Sequence, residues 1–195
     1  MLSVIMLLEH TTPNIQYLLG LVESEINAFE SNMAKVKMGG AMTSEILLGN
    51  SNSLLLLDKN QWVEQLSLLE ESPAAVLLTS WKQEHPPCFS EIESLVTKLI
   101  NSGCRYFVCA GKYSESLHDF IDDVALNISL GCKDVDGCNV ITTWHDKETD
   151  EEVAGFFLHS TNVSSGLLIA FLDEGDLDDR KLNESVLGLA EQTSG

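Results

Sequence analysis

The clearest signal in the chain is a change of hydrophobic period. Ile15, Leu19, Val22, Ile26, Phe29, Met33 and Val36 follow a 4-3-4-3-4-3 spacing, the a/d seam of three heptads. Thr12-Pro13 suits the opening of such a helix and Gly39-Gly40 its end. The spacing therefore predicts a helical extension over residues 1–40. Its seam must be buried, either on the chain's own body or in a homodimer.

From residue 53 onward, five short apolar runs alternate with amphipathic stretches. The runs are Leu54–Leu57, Ala74–Thr79, Cys104–Ala110, Val140–Trp144 and Leu167–Leu172. They are nearly continuous in apolar character, as strands covered on both faces are. Helical stretches follow at about 59–70, 90–102, 115–130, 149–160 and 177–191. Ser90-x-x-Glu93 and Thr149-x-x-Glu152 read as capping boxes, and Gly103 and Gly131 as C-terminal stops. The repeat implies right-handed βαβ units. The expected fold is α/β: a doubly wound, mostly parallel five-stranded sheet of Rossmann/flavodoxin-like type over 50–195. Gly39–Gly49 is the expected hinge between the extension and this body.

Charge narrows the function. Of 195 residues, 30 are Asp or Glu and 11 Lys or Arg, a formal charge of −19. Residues 115–195 hold 18 acids and 4 bases, a net of −14. No basic footprint exists for nucleic acid or an anionic membrane surface. A basic protein partner is electrostatically welcome, although excess acid also serves solubility alone. Five cysteines, an odd number, fit reduced buried thiols better than a disulfide framework. Met1–Leu8 lacks the basic residues of a secretory signal, so a cytoplasmic location is expected.

Ligands of open α/β sheets bind beyond the carboxyl ends of the strands. The loops there hold Asp58; Ser80-Trp81-Lys82; Gly111-Lys112-Tyr113-Ser114; Trp144-His145-Asp146; and Asp173-Glu174. If the protein were an enzyme, His145 would be the acid/base, with Asp146 or Cys109 beside it and Lys112 or Asp58 orienting substrate. Yet Asp146 can equally cap a helix, His145 can simply bond its own loop, and Cys109 can be a small core residue. Dinucleotide, P-loop and nucleophile-elbow fingerprints are all missing. Cys132-x5-Cys138-x6-His145 matches no usual zinc spacing, and Asp173–Asp179 lacks a calcium loop's pattern. No metal or cofactor is expected.

Phe107-Val108-Cys109-Ala110-Gly111, His118-Asp119, Thr142-Thr143-Trp144-His145 and Glu151-Glu152-x-x-x-Phe156-Phe157-Leu158 resemble an uncharacterised bacterial family, a domain of unknown function, over about residues 104–195. The resemblance implies a small cytoplasmic accessory protein and brings no functional residues with it.

Two functions compete. The first is an acidic, non-enzymatic interaction protein, of the immunity or inhibitor kind, that binds a basic protein partner. Trp81, Trp144, Asp173, Glu174, Asp176, Asp178 and Asp179 would form its surface. The alternative is a small enzyme or nucleotide-sensing domain built at the sheet's C-terminal edge around His145.

Overall fold

Successive side chains on a strand point to opposite faces of the sheet, so a run such as Leu54–Leu57 needs cover on both. The protein supplies that cover with helices on either side. The computed structural model describes residues 33–38, 41–48, 52–67, 69, 71–79, 90–131, 139–161 and 166–193. Among them lie β1 (Met33–Met38), β2 (Ala41–Leu47), β3 (Asn52–Asp58), α1 (Trp62–Ser67), β4 (Pro73–Thr79) and α2 (Ser90–Ser102). β5 (Tyr106–Ala110), α3 (Ser114–Gly131), β6 (Ile141–His145), α4 (Asp150–His159), β7 (Gly166–Leu172) and α5 (Leu177–Thr193) follow. Compactness divides the chain after Ala34, and the described helices all belong to the second unit, Lys35–Gly195.

The sheet order is β1-β2-β3-β7-β4-β5-β6. Every pairing from β3 to β6 is parallel, and β7 slots between β3 and β4. These five strands are the five apolar runs of the sequence, each displaced by no more than two residues. Leu55, Val76, Leu78, Phe107, Ile169 and Phe171 turn to α1, α2 and α3. Leu54, Ala75, Leu77, Val108, Leu168 and Ala170 turn to α4 and α5. The strands carry apolar side chains on both faces because each face has its own helical layer.

The hairpin upstream departs from the expected helical extension. Met33 and Val36, the last two seam positions, lie on strand β1 rather than on a helix. The reason is legible in the sequence: Ala34, Val36 and Met38 alternate with Lys35 and Lys37, a period of two that overrides the looser 4-3 spacing. Gly39-Gly40, the expected helix stop, lies outside the described residues. Most of the expected hinge is likewise strand. β2 runs antiparallel to β3, with Ile46 opposite Leu54, and the Leu48 N–H donates to the Asn52 carbonyl at 2.8 Å. The sheet thus begins upstream of residue 50. Ile15, Leu19, Val22, Ile26 and Phe29 lie outside the described residues.

Local signals set the helix ends. Thr149 Oγ1 accepts from the Glu152 N–H at 3.3 Å while Glu152 Oε2 accepts from the Thr149 N–H at 2.8 Å, closing the expected capping box of α4. At the end of α2, the Gly103 N–H reaches the Ile100 carbonyl and the Cys104 N–H the Leu99 carbonyl, both at 3.0 Å. That is a Schellman ending, and it needs the left-handed backbone of Gly103, φ 108°.

Candidate functional site

β3 continues into α1 on one face of the sheet, whereas its neighbour β7 continues into α5 on the other. Their loops diverge and leave a crevice beyond their carboxyl ends. The crevice is a cleft of about 340 Å³. Asp58, Gln61 and Gln65 line it from the β3–α1 side, and Asp173, Glu174 and Asn183 from the β7–α5 side.

A buried polar cluster stands behind the cleft. Lys59 Nζ lies 2.7 Å from Asp179 Oδ2, and both side chains are almost wholly buried. Lys59 Nζ also donates to Thr79 Oγ1 at 3.2 Å, and the Thr79 hydroxyl donates to Asp179 Oδ2 at 3.0 Å. The Asp173 N–H gives that same oxygen a further bond at 2.8 Å. A buried ion pair is tolerated when its remaining valences are met in this way. The cluster ties the ends of β3 and β4 and the start of β7's exit loop to the first turn of α5. Asp179 is therefore not part of an exposed partner surface, contrary to the sequence expectation. With Leu182, Val186 and Ala190 it belongs to the buried stripe of α5, and that 3-4-4 spacing was the signal that could have located it. Lys59 and Thr79 carried no comparable mark.

The acidic turn ahead of α5 is held by its own carboxylates. Asp173 Oδ1 accepts from the Gly175 N–H at 2.7 Å, and Asp176 Oδ1 accepts from the N–H groups of Asp178 and Asp179 at 2.9 and 3.3 Å. Hydrogen bonding from the Asn60 side chain, with the Gly175 N–H and the nearby Lys59 charge, holds the Asp173 carboxyl below the usual carboxylate range. Across the cleft, Asp58 accepts from the Asn60 N–H at 2.8 Å and from Gln61 Nε2 at 3.0 Å. Asp58, Asp173, Glu174, Asp176 and Asp178 are thus gathered at one end of the sheet, and Glu174 and Asp178 are exposed.

The enzyme candidates do not converge. Cys109 pairs in register with Trp144, and Ala110 with His145. Cys109 points into the layer of α1, α2 and α3, where burial and the Asp122 charge push its thiol far up. A thiol so placed is not a nucleophile. His145 is buried on the opposite face, its ring 4.6 Å from that of Phe156, with Nε2 3.3 Å from Thr143 Oγ1 and Nδ1 3.6 Å from Glu148 Oε1. Asp146 is exposed, and Lys112 Nζ sits 5.2 Å over the Tyr113 ring. Asp58 ends β3, four strand positions from β6 and so about 19 Å away at the usual spacing.

Trp144 is 47 % exposed and stacks on His118 at 4.6 Å; His118 Nε2 in turn lies 3.6 Å from Asp122 Oδ2. This aromatic surface lies on β6, at the far side of the sheet from the cleft. Trp81, Cys132 and Cys138 lie outside the described residues. Among the described residues no group of three His, Cys, Asp or Glu side chains is arranged to hold a metal ion. No described helix is long and apolar enough to cross a membrane.

Residues 54–182 match a family described as "Domain of unknown function (DUF7684)", from the start of the parallel strands into α5. No curated protein matches the chain.

Proposed function

We propose that this chain, which belongs to the DUF7684 domain-of-unknown-function family, is an acidic, non-enzymatic interaction protein whose partner is a basic protein. The observation that carries this reading is the gathering of Asp58, Asp173, Glu174, Asp176 and Asp178 at one end of the sheet, while Lys59, the buried cation beside them, is spent on Asp179. Such an edge attracts a cationic surface from a distance and fixes its register on contact. An immunity or inhibitor protein facing a basic toxin or nuclease has this requirement. A Cys109–His145 pairing does not support the enzyme alternative, because the two side chains occupy opposite faces of the sheet.

The Rossmann/flavodoxin-like class is the fold reading that goes with this proposal. Helices on both faces and the divergence of loops beside β7 support it. Cytoplasmic residence is proposed with it, on the free, buried thiols of Cys104 and Cys109.

The test is retention on an immobilised basic protein across a salt series. Wild-type chain should be held at low salt and released as salt rises. A variant with Asp58→Asn, Glu174→Gln and Asp178→Asn should elute well ahead of it. Equal elution of the two would place the binding elsewhere and remove the argument.

A further inference from the structure

The cleft between the ends of β3 and β7 contains an unmet chemical demand. Two of its lining amides, Gln65 and Asn183, have buried side-chain oxygens without a hydrogen-bond partner among the described residues. Gln65 is only 7 % exposed and lines the cleft. A buried acceptor left in this state costs about 1–3 kcal/mol, and native proteins keep few of them.

The rest of the wall says which donor fits. Asp58, Asp173 and Glu174 add carboxylates, and Asp173 is held ionised by its neighbours. An anionic ligand would meet three like charges. A neutral apolar one would leave both amide oxygens unpaired. A bare cation of the metal kind would need ligands that converge, which the described acids do not. A guanidinium answers each point: it is planar, permanently positive, and presents five N–H donors and no acceptor. The cleft, at about 340 Å³, has room for one such group and its stem.

We propose that this cleft seats the guanidinium of one arginine side chain of the basic partner, Gln65 and Asn183 accepting its N–H groups and Glu174 and Asp173 balancing its charge. The inference rests on the interaction reading above and names the anchor within it.

The experiment titrates the full chain with N-acetyl-arginine amide, with its neutral isostere N-acetyl-citrulline amide, and with free L-arginine, equal in net charge to the first, following the side-chain NH₂ resonances of Gln61, Gln65 and Asn183. The capped arginine probe should shift them saturably, the citrulline probe should not, and free L-arginine should bind no more tightly than the capped arginine. Asn183→Leu or Glu174→Gln should weaken the arginine probe about tenfold or more, the worth of one charge-assisted hydrogen bond. Glu174 lies on an exposed turn, so its variant carries the test even if Asn183→Leu fails to fold.

Equal response to arginine and citrulline, or non-saturating shifts spread over the whole acidic surface, would overturn the site. Tighter binding of free L-arginine than of the capped probe would overturn the partner side chain as its occupant. Salt-sensitive retention on a basic protein without arginine binding would sink the cleft and spare the interaction reading. Arginine binding in the cleft without such retention would do the reverse.

Discussion

Lys59 and Asp179, 120 positions apart in sequence, meet 2.7 Å from nitrogen to oxygen beneath the cleft. Taking charges out of water is expensive, and removing one member of a buried pair strands the other. Lys59→Met or Asp179→Leu should each destabilise the protein by about 3–5 kcal/mol, and the double variant by much less than their sum. Urea denaturation of the two single variants and the double provides the cycle. Additive losses would show that the pair does not act as a unit.

Asp173 makes the fold sensitive to acid. Its carboxyl is held low by the Asn60 side chain and the Gly175 N–H, whereas in the unfolded chain it titrates near the ordinary value of about 3.9. The stabilisation is therefore complete above that value and is lost as pH falls through the lower, folded value. The urea midpoint of wild type should drop on acidification through this window more steeply than that of Asp173→Asn. Parallel curves would refute the assignment.

The buried thiols should be inert. Burial pushes Cys104 up to about 12 and Cys109 further still, with the Asp122 charge adding to the rise at Cys109. Neither carries appreciable thiolate at neutral pH, and thiolate is the reactive form. Peptide mapping after brief alkylation should find both unmodified in native protein and both modified in urea. Rapid native labelling of Cys109 would revive a catalytic role for it.

Gly103 holds a backbone conformation that other residues adopt at a cost. Its φ of 108° closes α2 and turns the chain toward Cys104 and β5. An added Cβ would meet nothing closer than 3.9 Å, so the penalty of Gly103→Ala is conformational rather than steric. Thermal unfolding should report a loss of about 1 kcal/mol. An unchanged or raised midpoint would contradict it.

Much of the fold was legible because strands buried on both faces cannot hide. Leu54–Leu57 and Leu167–Leu172 must be interior, and the capping box at Thr149 and the stop at Gly103 mark helix ends by local hydrogen bonding alone. The hairpin of β1 and β2 was harder to read, since Val36 satisfies a heptad and a strand alternation at once. Strand order was not legible: nothing in the run Leu167–Leu172 says that β7 inserts between β3 and β4. That insertion creates the cleft, so Gln65 and Asn183 carried no mark, and Asp179 was grouped with the surface acids from which its burial separates it.

The proposed binding of a basic protein at the acidic end of the sheet is open to a direct test. The most direct measurement is parallel capture from the source cells with wild type and with the Asp58→Asn, Glu174→Gln, Asp178→Asn variant, at low and at high salt. Wild type should retain one basic protein at low salt and lose it at high salt, and the variant should not retain it. A partner held equally by both forms, or indifferent to salt, would contradict it.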